Sequence, residues 1–155
     1  MDWKLTTVAA CRVAGLDRQR FNEYVAAGEF PCAPDTIPGR ARLFDHFSLL
    51  SLMLFKSLMD DGLSPRRAGH IACSVSSMAR NNPAEDTIAY IETAIGICRA
   101  CIPSEVPPQE SWNSVAWSGS TITKVTAFNV EFFRTLIDER VEEERTIVGP
   151  EDPAE

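Results

Sequence analysis

In the first part of the chain, two short segments have apolar residues at helical spacing, and each segment ends at a glycine. This pattern predicts two helices that follow one another closely. Gly15 would end a first helix over residues 8–13, and Asp17 is a good N-cap for a second helix over residues 18–27. Phe21 and its apolar neighbours three and four positions further on fall on one face of the second helix. A helix, a short turn containing glycine and another helix form the outline of a helix-turn-helix.

Residues 30–43 contain three prolines and a glycine, so they cannot form a long helix. Pro38 and Gly39 mark a turn, and residues 40–44 are expected to return as a short strand. A turn and a return strand directly after a helix-turn-helix predict a wing.

Two longer helices are predicted next. Asp45 or Ser48 can begin a helix that runs to about residue 61, and its apolar stripe consists of Leu49, Leu50, Met53, Leu54 and Leu58. Ser64 and Pro65 are typical of an N-cap and a first helical position, so a fourth helix is expected up to about residue 80.

The second half indicates less regular structure. Residues 88–95 suit either a strand or a short helix, and residues 103–111 form a proline-rich loop. Residues 111–118 and 121–128 are rich in aromatic and β-branched side chains around Ser118-Gly119-Ser120, which predicts a β-hairpin. A helix over residues 129–145 follows, and residues 149–155 are expected to be an acidic tail.

The predicted fold class is therefore α+β, with a mainly helical winged helix-turn-helix followed by a small region with a β-hairpin and a terminal helix. The domain boundaries predicted are 1–80 for the first part, 81–148 for the second and 149–155 for the tail.

Charge is unevenly distributed along this chain of net charge -7. Residues 1–80 carry ten Lys and Arg against eight Asp and Glu, whereas residues 81–155 carry five against fourteen. Such asymmetry suggests a first half that faces nucleic acid, although a solvated acidic tail is the alternative. Neither a signal peptide nor a membrane-spanning stretch is evident, so a cytoplasmic protein without a membrane partner is expected.

The five cysteines are expected to be free and mostly buried thiols, because their number is odd and no export signal is evident. Cys98 and Cys101 form one CxxC, which supplies half of the four ligands that zinc needs. Only the fold could add ligands from Cys32, Cys73, His46 and His70. No metal and no cofactor is therefore expected.

Taken in order, these elements resemble the DNA-binding domain of the MerR family over about residues 5–75. The matching positions are Gly15 in the turn, Phe21, Tyr24 and Gly28 in and after the second helix, Arg42 and Phe44 at the end of the wing, and Gly62-Leu63-Ser64. Two features depart from the family. Asn22 and Glu23 stand where it usually has Arg and Tyr, and its long dimerisation helix does not follow the fourth helix directly.

This resemblance, together with residue chemistry, marks eight candidate DNA contacts. They are Arg18, Gln19, Arg20 and Asn22 on the second helix, Arg40 and Arg42 on the wing, and Arg66 and Arg67 at the start of the fourth helix. Arg can bind guanine bidentately, and Gln or Asn can bind adenine in the same way. The alternative is that these residues form an ordinary solvated surface, with the wing arginines paired to Asp35 or Asp45.

The sequence shows no catalytic constellation, so an enzyme is not expected. The leading hypothesis is a bacterial transcriptional regulator that binds double-stranded DNA as a homodimer, with RNA polymerase as a further candidate partner. The dimer is predicted to form through the apolar stripe of the last helix, namely Val130, Phe132, Phe133, Leu136, Ile137 and Val141. That stripe could instead close a monomeric core. An excisionase-like architectural protein and a protein–protein adaptor with a degenerate helix-turn-helix are the alternatives in function.

Overall fold

The computed structural model describes residues 3–36, 38–114, 117 and 119–148, with the side chains of residues 147 and 148 excepted. The tail predicted at residues 149–155 lies outside these residues. The described elements, in chain order, are β1 (Leu5–Thr6), α1 (Thr7–Ala14), α2 (Arg18–Ala26), β2 (Leu43–Phe44), α3 (His46–Asp60), α4 (Pro65–Asn81), β3 (Thr87–Thr93), β4 (Cys98–Cys101), β5 (Ile122–Asn129) and α5 (Val130–Val148). Two short 3-10 helices, Pro103–Glu105 and Gln109–Ser114, lie between β4 and β5. No helix in the described part of the chain is long and apolar enough to cross a membrane.

The four helices predicted in the first half are confirmed, and each begins at a polar cap. The side chain of Asp17 accepts a hydrogen bond from the backbone of Arg20 at 3.0 Å, and Asp45 accepts one from Ser48 at 2.8 Å. Thr6 and Ser64 cap α1 and α4 in the same way. These bonds satisfy backbone N–H groups that have no partner within the helix, which explains why the starts are local properties of the sequence.

Helix α3 is the centre of the main core. Its residues from Leu49 to Phe55 are all buried, because α4 packs along one side and α1 and α5 cover the others. The two predicted regions, 1–80 and 81–148, share this core, since Val130, Ile137 and Val141 of α5 belong to the same buried cluster.

Polar contacts hold α5 to α1 as well. The Arg12 guanidinium pairs with the carboxylate of Glu144 at 2.5 Å, and Arg140 donates a hydrogen bond to the carbonyl oxygen of Val13 at 2.9 Å. Glu144 is only 8% exposed, whereas the side chain of Arg12 is 43% exposed, so a buried carboxylate is paired with an arginine at the surface. The last helix is thus an integral part of the same body as the first.

The short strand expected over residues 40–44 is reduced to β2. It pairs antiparallel with β1, where Leu5 faces Phe44 and Thr6 faces Leu43. Strand β2 is therefore paired with a strand from the beginning of the chain. Residues 31–36 contain no strand that could pair with it.

The β-hairpin predicted between residues 111 and 128 is wrong over residues 111–114 of its first strand, and residues 115, 116 and 118 lie outside the described part of the chain. Residues 109–114 form a 3-10 helix, and among the described residues an isolated bridge between Trp117 and Ser120 is the one pairing across the predicted turn. The second half of the predicted hairpin is β5, which pairs with β3 instead. Strand β3, distant in sequence, thus takes the place of the neighbouring strand that was predicted to pair with β5. Its backbone hydrogen-bonds to β5 from one end of that strand to the other.

The larger sheet has the order β4-β3-β5, with both pairs antiparallel. For residues 88–95 the sequence left a strand or a short helix open, and the structure has a strand there, β3. Strand β4 was not predicted. Helix α4 packs against β3 and β4, while Trp112 and Trp117 pack against a second apolar cluster that includes Ile91 and Ile122.

The expectation of free thiols is wrong for two cysteines, because Cys32 and Cys73 form a disulfide across 41 positions of sequence. Cys98 and Cys101 lie on β4, one exposed and one buried. Residues three apart on a strand point to opposite faces, so this CxxC cannot present both sulfurs to one ion. Within the described residues, no group of three or more His, Cys, Asp or Glu is placed to hold a metal.

Candidate nucleic-acid interface

Helix α2 is held in place by two aromatic side chains. Phe21 is fully buried, with its ring edge-on to Phe30 at 6.0 Å and to Phe44 at 5.8 Å between centroids. One turn later, Tyr24 meets Phe55 of α3 at 5.3 Å. Because these contacts fix which face of α2 points inward, they also fix which side chains face solvent.

The four predicted contact residues of α2 are all exposed, although Arg18, at the first position of the helix, lies only about 60° around the axis from Phe21. At 100° per residue, Gln19 and Glu23 lie opposite Phe21, while Asn22 and Arg20 lie on its two flanks. The structure thus exposes Arg18, Gln19, Arg20 and Asn22 as predicted, but it also places the acid Glu23 on the outermost stripe.

The loop of residues 31–42, called here the 31–42 loop, is anchored at both ends and exposed in the middle. Phe30 and Phe44 bury its two ends in the core. The guanidinium of Arg42 donates a hydrogen bond to the carbonyl oxygen of Pro34, which braces the loop from within. Arg40 is exposed next to Gly39, whose φ of 78° confirms the predicted turn. Of the two predicted wing arginines, Arg40 therefore points to solvent and Arg42 makes an internal contact.

Helix α4 supports the start of this loop. A Cβ atom on Gly69 would lie 1.8 Å from the carbonyl oxygen of Glu29, so only glycine allows the two backbones to approach this closely. One turn further along α4, Cys73 forms the disulfide with Cys32. Glycine inside a helical pattern is the one sequence signal that could have pointed to this contact.

The two arginines at the start of α4 have different environments. The side chain of Arg67 pairs with Glu92 of β3, and Lys124 of β5 lies 3.5 Å from the same carboxylate. Arg66 is exposed. Arg67 is thus partly neutralised by the sheet, while the charge of Arg66 remains available to an external anion.

Within the part of the chain that the structure describes, four of the predicted arginines make no ion pair: Arg18, Arg20, Arg40 and Arg66. The predicted alternative of a wing arginine paired with Asp45 is not what the structure shows, because the partner of Asp45 is Arg80 at 3.8 Å. Burial would raise the pKa of Asp45, but hydrogen bonds from Ser48 and the charge of Arg80 outweigh it and lower the pKa.

The apolar stripe predicted for dimerisation divides into two sets. Val130, Ile137 and Val141 are buried in the core of the chain itself. Phe133 and Leu136 are half-buried, and Phe132 is 55% exposed. The buried set closes the core of the single chain, so only the second set is left for a partner to contact.

Neither protein families nor curated proteins provide a relative of this chain. No protein-family model matches the chain, and no curated protein matches it significantly. The resemblance to the MerR type is therefore a hypothesis that depends on the residues and contacts described above.

Proposed function

We propose that this chain is a sequence-specific, DNA-binding transcriptional regulator of the winged helix-turn-helix type. In this proposal α1 and α2 form the helix-turn-helix, α2 enters the major groove, and the 31–42 loop is the wing. The observation that carries it is a set of exposed arginines without ion-pair partners among the described residues, in a chain whose net charge is -7. They lie on α2, the 31–42 loop and α4. The segment between α2 and the loop contacts α2 through Phe30 and α4 through Glu29, and Cys32 of the loop is bonded to α4.

Each of these elements offers a different kind of contact. Arg18 and Arg20 suit guanine, while Gln19 and Asn22 suit adenine, because these side chains match the donors and acceptors on the base edges in the major groove. Arg40 suits a phosphate or the minor groove, as expected of a residue at the tip of a wing. Arg66 suits a phosphate, which would also compensate for a cation placed at the positive end of a helix.

One observation favours a second function, a protein–protein adaptor. Glu23 lies on the outermost stripe of α2, where it would repel DNA phosphates. An adaptor would have no measurable affinity for any duplex even at low salt, so a DNA-binding experiment separates the two functions.

Reading a two-fold operator requires a dimer. Phe132, together with Phe133 and Leu136, is the apolar surface that α5 leaves to a second copy. We expect sedimentation to give the mass of a dimer at micromolar concentration, and Phe132→Ser to shift the chain towards monomer. A wild-type mass equal to one chain would contradict this part of the proposal.

The function is tested by selecting duplexes from a randomised pool with the full chain and then measuring Kd against salt. For the double variant Arg18→Ala/Arg20→Ala, we expect weaker binding to the selected site by about 1–3 kcal/mol for each lost base contact. Arg40→Ala should weaken binding to all duplexes and make the salt slope shallower by about one unit.

The matched control is Arg145→Ala, an exposed arginine near the end of α5, which should bind like the wild type. Circular dichroism must show that each variant is folded. If no duplex is enriched, or if the folded double variant binds as tightly as the wild type, α2 is not a recognition helix.

A further inference from the structure

The disulfide joins the proposed wing to the helix that supports it. Cys32 lies two residues after the buried Phe30, at the start of the 31–42 loop, and Cys73 lies in the middle of α4. One turn before Cys73, Gly69 lies against the backbone of Glu29. The covalent bond and the close backbone approach therefore fasten the same end of the loop to the same side of α4.

Cys32 and Ala33 pack against the main core, but most of the described residues that follow them in the loop are more exposed. Residues 35, 36 and 38–40 are exposed, and the hydrogen bond from Arg42 to Pro34 joins two parts of the loop to each other. Breaking the disulfide would leave the chain between Phe30 and Phe44 without a covalent attachment to α4. The position of Arg40 would then depend on a loop of more than ten residues with two anchored ends.

The disulfide can be reached from solvent. Both cysteines are half-buried, and they line an open cavity of about 250 Å³ between α3, α4 and the loop. Among the described residues that line this cavity, Arg80 carries the one charged side chain, and the others besides the two cysteines are Phe47, Ser48, Ser51, Ser76 and Ser77. The guanidinium of Arg80 is paired with Asp45 at 3.8 Å and lies over the ring of Phe47 at 5.0 Å. The opening of the cavity, rather than this charge, is therefore what lets a reductant reach the disulfide.

We propose that the Cys32–Cys73 disulfide is a redox switch: it holds the 31–42 loop in position for DNA contact and releases the loop when it is reduced. The reductant is a dithiol, either a small molecule or a redox protein with a reactive dithiol. This inference rests on the proposed function for its effect on DNA, but the release of the loop is independent of that function.

The chemistry is a thiol–disulfide exchange. A thiolate of the reductant attacks one sulfur, forms a mixed disulfide and displaces the other cysteine as a thiolate, which takes up a proton. The second thiol of the reductant then displaces the first cysteine and closes the disulfide of the reductant. Two electrons and two protons pass in total to Cys32 and Cys73, and the reductant is oxidised.

Loop release is tested by limited trypsin digestion of the full chain, oxidised or treated with dithiothreitol. The loop contains two cleavage sites, after Arg40 and after Arg42. Because cleavage requires a locally opened backbone, we expect it to be about tenfold faster in the reduced protein. Cys32→Ser should be cleaved quickly in both conditions, whereas Cys98→Ser, at an exposed cysteine outside the disulfide, should respond like the wild type.

Mass spectrometry of alkylated peptides must show that reduction adds two labelled thiols, at Cys32 and Cys73. Equal cleavage rates in the two forms of the wild type would overturn the proposal without reference to any variant. A failure to find the Cys32–Cys73 cross-link in the oxidised chain would do so as well.

The effect on DNA is tested with the duplex selected above, by measuring Kd for the oxidised and the reduced chain. We expect the reduced chain to bind about tenfold more weakly, as for the loss of one good contact, and Cys32→Ser to match it in both conditions. Equal Kd values would show that the switch does not control binding. If neither form binds any duplex, the proposed function fails, and the digestion alone decides whether the loop is released.

Discussion

Replacing Gly69 by alanine is the sharpest test of how the 31–42 loop is mounted on α4. The new Cβ would lie 1.8 Å from the carbonyl oxygen of Glu29, 2.9 Å from its carbonyl carbon and 3.4 Å from the Cα of Phe30. An ordinary carbon–oxygen contact is about 3.3–3.6 Å, so the two backbones would have to separate by about 1.5 Å. No flexible side chain can move aside, because every atom in contact belongs to the backbone.

Two effects of opposite sign decide the magnitude. Alanine is the better helix former, which would stabilise α4 by about 1 kcal/mol. Forcing additional volume into a filled site costs about 1–3 kcal/mol, and the upper end applies here because Phe30 is 1% exposed and would be displaced from its contacts. We therefore expect Gly69→Ala to lower the free energy of unfolding by about 2 kcal/mol.

The assay is urea unfolding of the oxidised chain, followed by circular dichroism. Ser77→Ala is the control, because Ser77 lies on an exposed position of the same helix, and a change within about 0.5 kcal/mol is expected there. A Gly69→Ala protein as stable as the wild type, or more stable, would show that the loop does not lie against α4 at this point.

Two further predictions concern stability. Reduction of the disulfide between Cys32 and Cys73 should lower the free energy of unfolding by about 4 kcal/mol, the loop-closure value for a separation of 41 residues, and urea unfolding of both forms measures it. Burial lowers the pKa of His46 below its ordinary value, although Asp138, 3.6 Å away, opposes this effect. The stability contributed by the neutral form of His46 should therefore be fully present above about pH 6.5 and be lost as the pH falls through the lowered pKa. Thermal unfolding between about pH 7.5 and pH 5.5 should show this loss for the wild type but not for His46→Asn.

The starts and ends of most helices could be predicted from the sequence because their determinants are local. Asp17, Asp45 and Ser64 cap backbone N–H groups three residues away, and Gly15 ends α1 with the left-handed conformation that its position favours. The exposure of Gln19, Arg20 and Asn22 could be predicted for the same reason, because Phe21 and Tyr24 determine which side of this short helix faces inward.

The sheet could not be predicted in the same way. Residues 111–118 have aromatic and β-branched side chains typical of a strand, yet Trp112 lies in a 3-10 helix and donates its indole N–H to the carbonyl of Pro107, which precedes that helix. Strand β4 is only four residues long and shows no alternation of apolar and polar positions. Whether such a segment is a strand depends on the partner that pairs with it, and that partner is β3.

By itself, the sequence determined the caps, the helix faces and the glycine turn of the loop, because each of these depends on residues within about four positions of one another. Only the tertiary structure decided that Cys32 pairs with Cys73, that Arg67 is neutralised by Glu92, and that part of the α5 stripe belongs to the chain's own core. These features join residues tens of positions apart. Their formation depends on which surfaces meet when the chain closes its core, and a one-dimensional pattern of apolar and polar residues does not contain that information.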